Sequence, residues 1–220
     1  MASMNTLHAD PNNELGTNLL TIGLESNLAP YSFRHGEDEM QGIAPDLWRL
    51  WSKKTGIPIR LVPIDWNTSL ELMETGRVDV IGILPKSRAP AALLLYSDKP
   101  LYTSSMFAFY EKHLPDVKDV ESMKPFTIGS VKQGSCADWL KTNDFPNIRY
   151  FPNFQSMADA AANGDLDVFC SGRKNAISTL ASHSPPRDFK QSPLCSKLTV
   201  IGLYPNRNRN FTIPLNMVSD

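Results

Sequence analysis

One unit of secondary structure occurs twice in this chain, and this repeat limits the fold more than any other feature. "GRVDVIGI" begins at Gly76 and "GDLDVFCS" begins at Gly164, and both read Gly-x-apolar-Asp-Val. Each follows a segment with apolar residues at helical spacing, "WNTSLELMET" over 66–75 and "FQSMADAAAN" over 154–163. The glycine stands where a helix is expected to end. The chain therefore contains helix, glycine and strand in the same order twice.

A strand also precedes each unit. The short apolar runs "LLTIGLES" (19–26) and "PFTIGSVKQG" (125–134) share Thr-Ile-Gly, and both predict strands. A helix over about 45–55 and a strand over 59–62 follow the first run, and 138–151 supplies a helix and a strand after the second. Alternation of strands and helices is typical of a mostly parallel sheet covered by helices. The sequence therefore predicts two α/β lobes.

Two strand-like stretches are placed to connect the lobes. These are "SSMFAFYEK" over 104–112 and "KLTVIGLYPNRNRN" over 197–210. If both cross, the chain leaves lobe one once and returns once, which makes a two-strand hinge beside a cleft. The predicted division is a flexible N-terminal lead over 1–18, lobe 1 over 19–107, lobe 2 over 108–198, and a return crossing over 199–220 that lacks a closing helix.

The composition excludes several classes of protein. Of the 220 residues, 41% are hydrophobic and 20% are charged, and the formal net charge is −1. Such a chain is neither a disordered tail nor a nucleic-acid-binding or membrane-surface module, so a small ligand or a protein partner is expected. No apolar stretch reaches the ~20 residues of a membrane span, and the polar N-terminus is not a signal peptide. This opening is compatible with a signal or anchor that has been removed.

The chemistry-bearing residues favour binding over catalysis. The four histidines lie in polar, loop-like contexts, and none accompanies a nucleophile motif. The cysteines Cys136, Cys170 and Cys195 do not have metal-ligand spacing. No metal and no cofactor is expected. A Cys170–Cys195 bridge in an oxidising compartment is one alternative. Three buried, unpaired thiols are the other, and this is the alternative we favour.

Several candidate ligand contacts follow predicted strands. Arg88 comes soon after the carboxyl end of the strand that begins the first repeat, where open α/β sheets bind ligands, and its guanidinium suits a carboxylate. Glu25 has the same position after the first strand, and Trp66 offers an aromatic face. Ser135 precedes a helix, so it is expected to cap it and leave backbone NH groups facing the cleft. The alternatives are that Arg88 is exposed to solvent in a turn and that Trp66 is a core residue.

Three blocks together resemble the type II periplasmic solute-binding proteins. They are "LTIGLESNLAPYSF" followed by "GIAPDLWRLW", then "DWNTSLELMETGRVDVI", then "KSRAPAALLLYSDKPLYTSS". Their order and spacing over about 19–204 are similar to the family that binds polar amino acids and recurs as the Venus flytrap sensor domain of bacterial receptors. The resemblance implies two α/β lobes that close on a ligand.

The same resemblance implies roles for individual residues. Arg88 matches the arginine that holds the ligand α-carboxylate, and Asp167 matches the aspartate that takes the α-amino group. Asp79, the aspartate of the first repeat, matches a structural residue. Trp66 matches an aromatic residue that stacks on the ligand, and Ser135 and Cys136 match two donors from lobe 2. Glu25 matches an acid that contacts the distal end of cationic ligands.

The chain departs from the family pattern in two places that border the expected ligand. The turn before the arginine has Gly82, Ile83, Leu84 and Pro85 where the family has hydroxyl side chains. Leu28 replaces a frequent aromatic. Leu28 and Ile83 are therefore expected to present apolar surface to the ligand, and a ligand other than a standard amino acid is an alternative.

The resulting expectation is a non-enzymatic, periplasmic domain that binds an amino acid or related carboxylate. As a sensor domain, it would have the remainder of a membrane receptor as its partner. The alternative is a free binding protein that serves the permease of an ABC amino-acid transporter. An enzyme on the same fold and an interaction scaffold without a ligand are the less favoured alternatives.

Overall fold

The structure is a computed structural model that describes residues 19–37, 39–65, 67–85, 102–181, 183, 188–201 and 204–205. At 84, 85, 102, 193–201, 204 and 205, only the backbone is described. The predicted N-terminal lead and the C-terminal segment after 205 lie outside these residues.

Strands and helices alternate through most of the chain. The strands are β1 Leu20–Glu25, β2 Asn27–Leu28, β3 Ser32–His35, β4 Glu39–Gln41, β5 Ile59–Ile64, β6 Val80–Ile81, β7 Leu84–Pro85, β8 Tyr102–Glu111, β9 Ile128–Val131, β10 Ile148–Phe151, β11 Val168–Gly172, β12 Phe189–Ile201 and β13 Tyr204–Pro205. The helices are α1 Ile43–Thr55, α2 Ser69–Glu74, α3 Val120–Met123, α4 Ser135–Thr142, α5 Phe154–Asn163 and α6 Arg173–Leu180. In this part of the chain, none of them has the length and hydrophobicity of a membrane-spanning helix.

Lobe 1 is built on a sheet with the strand order β13-β6-β1-β5. The central strand β1 runs parallel to β5 and β6, whereas β13 is antiparallel to β6. Every residue of β1 is buried, and its side chains Leu20, Ile22 and Leu24 pack against Trp48 and Trp51 of α1. Burying these large apolar side chains is the main stabilising contribution to this lobe.

Lobe 2 is built on a sheet with the order β10-β9-β11-β8-β12-β7. The strand β9 is parallel to β10 and β11, and β8 is antiparallel to β11 and β12. Alternate side chains of β11 enter separate hydrophobic cores on the two faces of the sheet, with Val168 and Cys170 in one and Phe169 in the other. The lobe thus has helices on both sides of a mixed sheet.

Two long antiparallel strands connect the lobes, as the sequence predicts. The pairing of β8 with β12 extends from Tyr102 opposite Val200 to Glu111 opposite Phe189. After β12, the chain rejoins the sheet of lobe 1 through β13, which pairs with β6. The predicted α/β class with two crossing strands is confirmed. The predicted division after residue 107 falls inside β8. This strand pairs with β11 and β12 of lobe 2.

Glycine positions are the best-predicted local features. Gly76 and Gly164 follow α2 and α5 with φ values of 70° and 86°, in the left-handed region that glycine adopts without a steric penalty. The predicted helix over 154–163 coincides with α5. The small sheet β2-β3-β4 and the helix α6 have no counterpart in the sequence prediction.

Gly42 holds one wall of the cleft in place. Its φ is 116°, and a Cβ at this position would lie 2.7 Å from the Pro30 carbonyl oxygen. The close approach lets the first turn of α1 donate to the preceding loop, because Ile43 N bonds to Pro30 O and Ala44 N bonds to Tyr31 O. The loop that carries Tyr31 is therefore tied to the amino end of α1.

Candidate functional site

A cavity of about 120 Å³ lies between the lobes. Lobe 2 lines it with the start of β8, the end of β9, the first turns of α4, α5 and α6, and the end of β11. Ligand sites of parallel α/β sheets lie at this edge, beyond the carboxyl ends of the strands. The volume far exceeds the ~10 to 15 Å³ that one water needs, so a small organic molecule fits. Lobe 1 contributes Glu25, Asn27, Leu28, Tyr31 and Ile83.

Glu25 gives the lobe 1 wall its negative charge. It ends β1 with only 7% of its surface exposed, and Asn27 N donates to its Oε1 at 3.2 Å. The Ser32 hydroxyl donates to the Glu25 backbone oxygen at 2.7 Å and so fixes the strand end. Of the lining residues in the described ranges, Glu25 is the one with a formal charge. A carboxylate that borders the cavity can accept hydrogen bonds from a positively charged group of a ligand.

The amino end of α4 forms the facing part of the lobe 2 wall. Gly134 is the cap residue and supplies no side-chain hydrogen bond, so the prediction that Ser135 caps this helix is wrong. Ser135 is the first helical residue, and its Oγ is buried without a hydrogen-bond partner among the described residues. A helix amino end carries partial positive charge and free NH donors. This wall is therefore suited to an anionic group.

The other two helix ends at the cavity differ from each other. The Asn153 side chain caps α5 by accepting from Ser156 N at 2.8 Å, so this end is satisfied within the protein. The cap residue of α6, Gly172, contributes no side-chain bond. Two of the three helix ends at the cavity thus lack a side-chain cap.

Direct hydrogen bonds join the lobes across the cleft. Asn175 of α6 donates from Nδ2 to the Ala29 carbonyl oxygen at 3.0 Å, and Asn67 donates from Nδ2 to the Pro152 carbonyl oxygen at 3.2 Å. The Asn175 side chain is buried, whereas the Asn67 bond is exposed to solvent. The structure is therefore a closed form, in which the two lobes contact each other directly.

Tyr31 adds a further contact at the cavity, through a side-chain hydrogen bond with Ser104 of β8. Burial raises the pKa of the Tyr31 hydroxyl above its usual value, and the bond with Ser104 partly opposes that shift. Because the pKa is raised, the hydroxyl is neutral at physiological pH, and any stability it contributes is lost only as the pH rises above about 10.

A disulfide between Cys136 and Cys170 forms part of the cavity wall. The Cα atoms are 5.8 Å apart, and the two residues are 34 positions apart in the sequence. Both cysteine alternatives considered above are therefore wrong, the bridge to Cys195 as well as three unpaired thiols. The first turn of α4 and the end of β11 meet at the cavity, and this proximity arises only in the folded sheet.

Asp167 lies away from the cavity, although the sequence places it among the ligand contacts. It is exposed and immediately precedes β11, whereas the cavity borders the last residues of that strand. A strand of five residues spans about 16 Å, so the two ends are well separated. The Asp167 carboxylate instead lies near Glu111 and His113, with ligand atoms within 4.8 Å of one another. This position does not suit contact with a ligand in the cavity.

Asp79, the matching aspartate of the first repeat, has a structural role. It is buried and accepts a hydrogen bond from Thr21 N at 2.9 Å, while its own NH donates to Thr21 O at 2.8 Å. The side chain therefore joins the start of β6 to β1, as the resemblance implies.

The remaining predicted contacts divide into two groups. Arg88 and Trp66 lie outside the described residues. The structure brings five of the predicted residues together at the cavity, namely Glu25, Leu28, Ile83, Ser135 and Cys136. Tyr31, Phe154 and Asn175 also line the cavity and were not predicted. Their common signal is a position soon after the carboxyl end of a strand.

One family model matches part of the chain. Residues 20–115 match the model of the bacterial extracellular solute-binding proteins, family 3. No protein of curated function matches the sequence.

Solved structures share the fold over most of the chain. A histidine kinase sensor domain similar to periplasmic binding proteins aligns with a TM-score of 0.78 at 14% identity, covering 86% of this chain and 82% of that one. The periplasmic VFT2 domain of BvgS from Bordetella pertussis aligns with a TM-score of 0.74 at 16% identity, covering 88% and 83%. An ancestral arginine-binding protein bound to arginine aligns with a TM-score of 0.75 at 17% identity, covering 87% and 86%. The fold is thus that of the two-lobed type II periplasmic binding proteins.

Proposed function

We propose that this chain binds an amino acid or a related small carboxylate in the cavity between its lobes, outside the cytoplasm. The observation that carries the proposal is the polarity of the cavity. The buried Glu25 carboxylate lies on the lobe 1 side. The amino end of α4, which has no side-chain cap, lies on the lobe 2 side with the Ser135 hydroxyl, which has no hydrogen-bond partner among the described residues. A zwitterion has one charge for each wall.

In this proposal, each end of the ligand has a defined partner. A positively charged group pairs with Glu25, and a carboxylate accepts from the first NH groups of α4 and from Ser135. Arg88 is proposed as the guanidinium partner of the carboxylate, on the basis of its sequence position after β7. Leu28 and Ile83 contact the apolar part of the ligand. Asp167 is left out because of its distance from the cavity.

Trp66 remains a candidate aromatic contact. The next residue, Asn67, donates a hydrogen bond to the Pro152 carbonyl oxygen of lobe 2 at 3.2 Å. An aromatic ring at the cleft would shield the ligand from water and stack on its planar or cationic groups.

Binding is proposed to act by favouring the closed form. The hydrogen bonds of Asn175 and of Tyr31 join the lobes only when the cleft is closed. A ligand that contacts both lobes adds interactions that the open form lacks, and so it shifts the population toward closure. The shift in population is the signal passed to a partner.

We favour a sensor domain of a membrane receptor, since one of the similar structures is a histidine kinase sensor domain and another is the periplasmic VFT2 domain of BvgS. The arginine-binding protein among the neighbours supports a free transport protein as the second candidate. The gene sequence downstream of the codon for Asp220 distinguishes them. An apolar span or a coiled-coil segment favours the receptor, and a closing helix with a stop codon favours the transport protein.

A thermal-shift screen against L-arginine, L-glutamine, the other standard amino acids and small dicarboxylates tests the binding proposal. A true ligand present at 100 times its dissociation constant stabilises the protein by about 2.7 kcal/mol. In Glu25→Gln, a cationic ligand such as arginine is expected to stabilise the protein much less, because the buried carboxylate has been replaced by a neutral amide. Glu39→Gln is the matched control, because Glu39 is an exposed glutamate of β4. This variant is expected to be stabilised by the ligand as much as the wild-type protein. If no compound in the panel stabilises the wild-type protein, the proposed ligand class is wrong.

A further inference from the structure

The Cys136–Cys170 disulfide can be reached from the cavity and is shielded elsewhere. Both cysteines border the cavity, yet only 4% of Cys136 and 2% of Cys170 is exposed. Away from the cavity, they pack in a hydrophobic core with Ile128, Leu140 and Val168. The cavity is therefore the side from which a solute molecule would approach this disulfide.

The Cys136–Cys170 disulfide links two elements of lobe 2 that line the cavity. It joins the second residue of α4 to the middle of β11. Gly134 and Ser135 precede Cys136 at the cavity, and Gly172 and Asn175 follow Cys170 there. Because Gly134 gives α4 no side-chain cap, the disulfide is a covalent restraint on the first turn of this helix.

We propose that the Cys136–Cys170 disulfide is a site of thiol–disulfide exchange inside the ligand cavity, where small thiols react after entering through the cleft, and that its reduction weakens ligand binding. A thiolate from solution attacks one sulfur, and the other leaves as a thiolate that takes up a proton. A second thiol then attacks the mixed disulfide, which yields two cysteine thiols and one oxidised small disulfide. Two electrons pass from the small thiols to the protein.

Reduction changes the cavity because two thiols do not stay at bonding distance. The first turn of α4 then moves relative to β11, and the Ser135 hydroxyl and the helix NH groups move with it. This second half of the inference rests on the proposed function. Since coupling between two equilibria is reciprocal, a ligand that prefers the oxidised protein also makes the disulfide harder to reduce, by the same factor.

The first experiment needs no ligand. Folded protein is incubated with dithiothreitol, and alkylated cysteines are counted by mass spectrometry over time. The disulfide of the wild-type protein is expected to be reduced without denaturant. In Asn175→Ala, the reduction rate is expected to be about fivefold higher, because the loss of one interlobe hydrogen bond favours the open form. Asn67→Ala removes an exposed interlobe bond and is expected to change the rate less. Ser104→Ala, which breaks the bond with Tyr31, is a second opening variant if Asn175→Ala does not fold.

Two results of this experiment would overturn the exchange site. One is a disulfide that stays intact until the protein is denatured. The other is a reduction rate that is equal in wild-type protein and in a folded opening variant.

The second experiment tests the coupling with L-arginine and L-glutamine as probes. Titration calorimetry on oxidised and reduced protein is expected to show at least tenfold weaker binding after reduction, and the bound probe is expected to slow reduction. Equal affinity in both redox states would overturn the coupling. If neither probe nor any other amino acid binds either form, the proposed function fails. The reduction rates measured without ligand still show whether thiol–disulfide exchange takes place in the cavity.

Discussion

Replacing Cys136 and Cys170 together by alanine lowers the free energy of unfolding by about 3 to 4 kcal/mol. The disulfide closes a loop between residues 34 positions apart, and its loss returns conformational freedom to the unfolded chain. Alanine is used because a serine hydroxyl would be buried without a hydrogen-bond partner in the core around Ile128 and Val168. Urea unfolding monitored by tryptophan fluorescence under non-reducing conditions measures the change.

Two controls separate the cross-link from the loss of side-chain volume. Wild-type protein unfolded in excess dithiothreitol should approach the stability of the double variant. Cys195→Ala should leave stability within about 1 kcal/mol of the wild type, because Cys195 is not part of this disulfide. Equal stability of oxidised wild-type protein and the double variant would show that the cross-link does not constrain the chain.

Replacing Arg88 by alanine is expected to weaken binding of the ligand from the screen at least about 30-fold, if this arginine is the proposed carboxylate partner. Truncating one partner of a buried, hydrogen-bonded charge pair costs about 2 to 5 kcal/mol, and the lower limit corresponds to this factor. Lys86→Ala is the matched control, because it removes a positive charge two residues earlier in the same stretch. Its affinity is expected to stay within about threefold of the wild type. Titration calorimetry gives both values, and full affinity in Arg88→Ala would remove this arginine from the site.

Much of the fold follows from periodicity and from glycine. Helical spacing over 154–163 ends at Gly164, and the observed helix has the same limits because a left-handed glycine terminates it. The apolar run after residue 19 becomes the central strand β1, since it is buried on both faces as in parallel sheets. These elements depend on local sequence, so a single sequence is enough to place them.

The repeated Asp-Val motif shows where local reasoning fails. Asp79 and Asp167 occupy the same position relative to their strands, but β6 pairs with β1, whereas β11 lies between β9 and β8. Asp79 therefore meets Thr21 N and is buried, while the Asp167 carbonyl accepts from Glu111 N and its side chain is exposed. Neighbouring strands decide the role of each carboxylate, and the motif does not contain that information.

The cavity depends on the same non-local information. Cys136 and Cys170 come together because β9 and β11 are parallel neighbours, so their carboxyl ends share one edge of the sheet. Asn175 reaches Ala29 only because the lobes close on each other. Residues such as Glu25, which end a strand that is recognisable in the sequence, could be predicted. Contacts between distant segments required the structure.

We expect a small polar ligand to bind between the lobes at the amino end of α4. Titration calorimetry of the ligand from the screen, on wild-type protein, Ser135→Tyr and Thr142→Tyr, tests it most directly. A tyrosine at 135 projects into a cavity of about 120 Å³, whereas Thr142 is exposed at the other end of the same helix. We predict one site per chain in wild-type protein and in Thr142→Tyr, and no detectable binding in Ser135→Tyr. Wild-type affinity in a folded Ser135→Tyr protein would show that the ligand does not bind at this helix end.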